Sequence, residues 1–296
     1  MPPLRAVVIG GTSGIGHAMA CRLASTSPSS SIIISGRTCP SPLPHPDIIS
    51  FLPLDATSMR SIKSYTTSLA QTQFASSKID ILIMSQGIMS TAPRTETPEG
   101  IDRKMALHYY GKQLLIRELL PLLTASARVV TVYDGWLGSP DKLLWDDLDL
   151  KRAGNYGLAK TADHCVSMTD GMVQYWATRG QAQAGEDPAG RKRHFVHAYP
   201  GGVNTNLLRE VLPGYLQGAV KAVGKVVLTS PETCAERLLE GVEVRSEEGE
   251  GEGRYWSNID NKGRTIKGKA VWTEEQMERV ARHTWEMVDA ALAVGE

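Results

Sequence analysis

Leu4-Arg5-Ala6-Val7-Val8-Ile9-Gly10-Gly11-Thr12-Ser13-Gly14-Ile15-Gly16 is the stretch whose reading decides the fold. Residues 4–9 are a short apolar run with β-branched members, the composition of a strand buried in a parallel sheet. Glycines follow at once, and residues 15–23 then take a helical pattern with Ala18, Met19 and Ala20. Strand, glycine-rich turn and helix N-terminus together aim backbone N–H groups at an anion. The spacing is G-x-x-x-G-x-G over Gly10, Gly14 and Gly16, rather than the commoner G-x-G-x-x-G. A glycine cluster alone can mark no more than a tight turn. Flanked by both a strand and a helix, this one predicts a phosphate cradle for a dinucleotide.

Working outward, strands and helices alternate. Further strands are expected over 31–35, 48–54, 79–85, 128–133 and 194–199, and helices over 58–74, 102–123 and 155–179. That rhythm predicts an α/β fold: a doubly wound parallel sheet of Rossmann type, in a single domain spanning 1–296. Right-handed crossovers put the strand C-termini on one edge, where ligands bind. Residues 38–46 are Pro-rich and read as an exposed loop, 180–193 as a polar connection, and 247–253 as an acidic surface turn. An amphipathic helix over 273–292, with Met277, Val280, Trp285 and Val288, reads as packing.

A second motif gives the first a chemistry. Tyr156 and Lys160 stand four apart, one turn on a common helical face. A cation there stabilises the phenolate, lowers the phenol's pKa and makes it an acid or base near neutrality.

Composition excludes other classes. Lys and Arg total 32, as do Asp and Glu, which leaves no electrostatic footprint for nucleic acid or an acidic membrane. Cys21, Cys39, Cys165 and Cys234 lack metal-ligand spacing and read as reduced thiols, so no metal is expected. With a strand beginning at Leu4 no signal peptide is expected, and the apolar stretch 218–228 is too short to span a bilayer. A cytoplasmic location is the default expectation.

Over nearly its whole length the chain resembles the short-chain dehydrogenase/reductases. It carries their cofactor turn (Gly10, Gly14, Gly16), their Tyr-x-x-x-Lys pair (Tyr156, Lys160) and their Pro-Gly-x-Val-x-Thr segment (Pro200, Gly201, Val203, Thr205). The stretch before Tyr156, with Trp145-Asp146-Asp147-Leu148, is similar to the retinol-dehydrogenase-like and fungal secondary-metabolism branches. The resemblance implies NAD(P)-linked carbonyl/alcohol chemistry. It also implies a cofactor held by Gly10, Thr12, Ser13, Gly14, Ile15, Gly16, Asp55, Gly87, Tyr156, Lys160, Val203 and Thr205. Charge selects the cofactor. The second strand ends in Ser35-Gly36-Arg37, with no carboxylate for ribose hydroxyls, and Arg37 can fork a 2′-phosphate, so NADP(H) is expected. Read blandly, Arg37 is a solvated loop residue.

Three positions depart from the family pattern. The serine that binds the substrate carbonyl is replaced by Tyr133-Asp134, and no serine follows until Ser139. His108 stands for the relay asparagine, and Asn-Asn-Ala-Gly has become Met84-Ser85-Gln86-Gly87. An ionised Asp134 would repel a developing alkoxide, whereas a buried, protonated one would donate to it. A solvated loop carboxylate is the other reading of Asp134. His108 either titrates near neutrality and moves protons or is satisfied by a backbone carbonyl. Tyr156, Lys160, Asp134 and His108 are therefore the catalytic candidates.

Downstream, 204–228 reads as an apolar lid (Leu207, Leu208, Val211, Leu212, Tyr215, Leu216, Val220) suited to a lipophilic small molecule. A homo-oligomer contact or core packing would use the same residues. Three functions remain. The first is an NADP(H)-dependent oxidoreductase interconverting a ketone and a secondary alcohol, in secondary metabolism. The second is a non-redox isomerase or cyclase of the same fold, kept open by the absent serine. The third is a catalytically silent NADP(H)-binding partner protein.

Overall fold

The apolar runs pair in a single sheet. In this computed structural model, which describes residues 3–182, 187–205 and 228–294, seven strands are formed. They are β1 (Arg5–Ile9), β2 (Ser31–Gly36), β3 (Ile49–Pro53), β4 (Ile79–Met84), β5 (Leu123–Val132), β6 (His194–Ala198) and β7 (Trp256–Ile259). Their order is β3-β2-β1-β4-β5-β6-β7, every neighbouring pair parallel. The doubly wound expectation is met. The helices are α1 (Gly14–Thr26), α2 (Met59–Gln71), α3 (Arg103–Met105), α4 (Gly111–Leu119), α5 (Leu158–Arg179), α6 (Pro231–Glu252) and α7 (Glu274–Ala293).

Strand alternation divides the core in two. Val7, Ile9, Leu82, Met84 and Val129 face a layer that holds Ile62 of α2, Leu115 of α4, Met172 of α5 and Val280 of α7. Ala6, Val8, Ile83 and Val130 face Met19 of α1 and Leu238 of α6. A slip of one residue would exchange the two layers. Both layers are apolar, so the register is held by the fit of each set of side chains to its own helices rather than by burial as such.

Four local expectations are corrected. The helix expected over 102–123 forms from Arg103 to Leu122, but its winding changes along the way. It runs α3, a π-helical turn (Ala106–Tyr110), α4 and a closing 3-10 turn (Leu120–Leu122) that contains Pro121. β5 then begins at Leu123 rather than 128, because a register shift lets Ile79 pair with Leu123 and Ile81 with Arg128. Secondly, α5 begins at Leu158, not 155, since Gly157 is extended (φ −177). Tyr156 therefore precedes the helix that carries Lys160. Thirdly, 247–252 is helical as the end of α6, with the break at Gly253 (φ +66). Helix persists there because α6 packs on the sheet so closely that a Cβ on Gly249 would meet His194 Cε1 at 2.6 Å. Lastly, Trp256–Ile259 adds a seventh strand that the sequence rhythm did not show.

Among the described residues no helix is long and apolar enough to cross a membrane. The expected lid over 204–228, apart from Asn204, Thr205 and Leu228, lies outside the described residues.

Candidate active site

Strand order reverses between β1 and β4, and the crevice outside their C-terminal ends is where a doubly wound sheet binds ligands. A cavity of about 280 Å³ lies there. The loops after four strands line it: Gly10, Thr12, Ser13, Gly14 and Ile15 after β1, Arg37 after β2, Asp55 after β3, and Ser85 to Ile88 after β4. Thr205 closes one side. Nine of the residues expected to hold a cofactor thus come together here: Gly10, Thr12, Ser13, Gly14, Ile15, Arg37, Asp55, Gly87 and Thr205. Gly16 and Val203 are buried just behind, and Tyr156 and Lys160 are not among the lining residues.

The turn is built for close approach. Gly10 has φ +78, and a Cβ on it would meet Gln86 N at 2.6 Å. Ser13 caps α1 in extended conformation (φ −159) without a side-chain bond, which leaves the first-turn N–H groups for an anion. Arg37 stands exposed at the end of β2. Gln86, overlooked in the sequence, is the clearest ligand-facing group. It is 8% exposed, lines the cavity, and neither its amide nitrogen nor its oxygen has a protein partner. Its position in a motif that normally holds asparagine was the available signal. A glycine cradle, uncapped amides, an arginine at the rim and an orphaned amide fit a phosphorylated dinucleotide.

At the Gly87 end the π-helical turn presents His108. Its Nε2 lies 2.8 Å from Ile88 O and 3.3 Å from Ile88 N, so the Ile88 backbone serves it in either tautomer, while Nδ1 is buried without a partner. A Cβ on Gly87 would meet His108 Cε1 at 2.9 Å. Burial, aided by Lys112, pushes the imidazole down to about 4, so His108 stays neutral, which matches the backbone-satisfied reading rather than the titrating one. Next to it, the Tyr133 ring stacks on His108 at 4.9 Å and lies 6.4 Å from His197. Lys112 is fully buried, donates to Val132 O at 3.1 Å, and sits 5.1 Å from the Tyr133 ring centroid. Desolvation lowers its pKa to about 7.

The Tyr156/Lys160 pair is not assembled as a helical face. Tyr156 donates to Asp102 Oδ2 at 2.8 Å, beneath Lys104 and Arg94, while Lys160 is exposed. Asp102 also caps α3 through Lys104 N and Met105 N, both at 3.1 Å. Burial and then Asp102 raise the Tyr156 pKa above its ordinary value, the reverse of the lowering expected from Lys160. Asp134 is turned onto its own loop: Oδ1 accepts from Trp136 N at 3.0 Å and Leu137 N at 3.3 Å. That geometry matches the loop-carboxylate reading rather than a carboxyl aimed at substrate.

The same loop is braced from below. Asp170 Oδ1 accepts from His197 at 2.5 Å and Asn258 at 2.6 Å, and Lys269 sits against Oδ2 while donating to Gly138 O at 2.7 Å. Burial alone would push Asp170 up, but His197 and Lys269 outweigh it and hold the carboxyl below its ordinary range.

Residues 5–133 match the family model described as short chain dehydrogenase. This chain belongs to the short-chain dehydrogenase/reductase family. An oxidoreductase of Emericella nidulans, AN1596, is 32% identical to this dehydrogenase/reductase over 224 residues, covering 72% of the chain and 62% of that protein. The oxidoreductase andH of Emericella variicolor is 30% identical over 223 residues, covering 71% and 61%. The chain spans about three-fifths of the length of these curated relatives. Among solved structures, an NADPH-bound carbonyl reductase from chicken fatty liver superposes with TM-score 0.61 at 15% identity, over 90% of this chain and 99% of that one. That likeness establishes the short-chain dehydrogenase/reductase fold.

Proposed function

We propose that this chain is an NADP(H)-dependent oxidoreductase interconverting a ketone and a secondary alcohol on a lipophilic small molecule, in fungal secondary metabolism. The observation that carries it is the cavity at the β1/β4 switch, with Arg37 at its rim and no carboxylate ending β2. The α1 N-terminal amides would hold the pyrophosphate, Arg37 the 2′-phosphate, Asp55 the adenine side, and Gln86 and Gly87 a ribose. The nicotinamide, when bound, supplies or accepts a hydride. Tyr156 keeps its proton through the neutral range and can give it to a substrate oxygen once its hydroxyl exchanges Asp102 for that oxygen. Lys160, exposed, is free to turn toward the ribose.

A lipophilic substrate is supported by the exposed apolar side chains along the sheet's C-terminal edge. Met89, Trp136, Leu137 and Leu158 are 39–54% exposed on the loops that follow β4 and β5 and open α5. Burying them would supply binding free energy at about 25 cal/mol per Å². A non-redox isomerase or cyclase of the same fold is the second reading, favoured by the Tyr156–Asp102 bond. Product analysis on lipophilic ketones with and without NADPH separates the two. Stoichiometric cofactor oxidation supports the first, and product formed without cofactor consumption rejects it.

A further inference from the structure

The family's serine has no counterpart at its own position, since Asp134 spends Oδ1 on the turn. Its neighbour Tyr133 follows β5 on the ligand-binding edge, its backbone N held by Ala198 O at 2.9 Å. The ring is set by packing rather than by its hydroxyl: His108 on one side, His197 on the other, and the Lys112 ammonium toward the ring. His108 is in turn locked to Ile88 and presses on Gly87, both lining the cofactor cavity, so Tyr133 adjoins that cavity's inner end. Four other phenols are already bonded. Tyr65 bonds Ser35, Tyr109 bonds Thr284, Tyr110 bonds His283 and Tyr156 bonds Asp102. Tyr133 is half-buried, and its hydroxyl has no partner among the described residues.

The geometry points to Tyr133 as the residue that donates a hydrogen bond to the substrate's carbonyl oxygen, the task a serine performs elsewhere in the family. This rests on the oxidoreductase reading above. As hydride adds to the carbonyl carbon, the C=O π pair moves onto oxygen, and a neutral O–H already aimed there stabilises the growing charge without reorganising. Tyr133 suits that task, because burial holds its pKa well above the ordinary value and keeps the hydroxyl protonated. An ionised Asp134 would repel the same charge. His108 and Lys112 act through Tyr133 as positioning residues.

Tyr133→Phe removes the hydroxyl and keeps the ring stack, so it tests the donor without emptying the core. With NADPH and acetophenone, kcat should fall by about 10²–10³-fold with KM and NADPH affinity little changed. A second readout needs no turnover: acetophenone labelled with 13C at its carbonyl, bound beside oxidised NADP+. Hydrogen bonding should move the carbonyl resonance downfield in the wild type, and part of that shift should vanish in Tyr133→Phe. Equal kcat, or equal carbonyl shifts in both proteins, would overturn the proposal. A wild type that consumes no NADPH rejects the oxidoreductase reading instead, and the carbonyl shift still decides the role of Tyr133.

Discussion

Replacing Lys112 by methionine should make the protein more stable at neutral pH. Lys112 is fully buried, with one hydrogen bond, to Val132 O, and its pKa falls from 10.5 to about 7 because burial penalises the ammonium. Cys165, whose charge would favour the ammonium, is itself pushed up by burial and stays a neutral thiol. With the folded pKa below the unfolded one, the unfolded chain binds more protons, so stability rises with pH between about 7 and 10.5. The shift corresponds to a cost of about 4 kcal/mol at pH 7, declining to about 2 kcal/mol at pH 9. Methionine removes that cost at nearly constant volume, but loses the Val132 hydrogen bond and the contact with the Tyr133 ring, together about 2 kcal/mol. The net gain is therefore about 2 kcal/mol at pH 7 and close to nothing at pH 9. Urea unfolding of both proteins, followed by tryptophan fluorescence at the two pH values, measures it. A variant less stable at pH 7, or a gap that does not shrink by pH 9, would refute the reasoning.

Arg37→Ala should weaken NADPH binding by about 1.5 kcal/mol, the low end for a charged hydrogen bond because Arg37 is exposed, and leave NADH unchanged; calorimetry showing no preference in either protein would reject this. Tyr156→Phe should abolish turnover while NADPH binding, followed by fluorescence, persists. Burial raises the Tyr156 pKa most and Asp102 adds to it, so Asp102→Asn should move the alkaline limb of the pH–rate profile part-way to lower pH; an unmoved limb would mean that Tyr156 does not titrate in turnover. Asp170→Asn strands Lys269, only 6% exposed in its side chain, and should cost about 3–5 kcal/mol in urea unfolding.

Local chemistry was enough for the strand–turn–helix over 4–23, the parallel sheet and the close-packed glycine turn. A strand buried on both faces must be apolar throughout, and only glycine permits the approach of Gly10 to Gln86. β7 was hidden because Trp256–Ile259 is short and follows a run of Glu and Gly that propensity assigns to a turn, whereas packing of α6 on the sheet makes that run helical.

The residues that depart from the family pattern could be found in the sequence, but their roles could not. Whether His108 titrates depends on burial and on Ile88, and where Asp134 points depends on the amides of Trp136 and Leu137. The spacing of Tyr156 and Lys160 presumed one continuous helix, and an extended Gly157 breaks it, leaving the phenol to Asp102. Tyr133 and Lys112, far apart in the chain, acquire their environment only when β5 meets the helix that runs from α3 to α4. Spacing along a chain dictates backbone geometry within one element. The charge state and direction of a side chain are set by neighbours from other elements, through desolvation and hydrogen bonding, and those neighbours exist only in the fold.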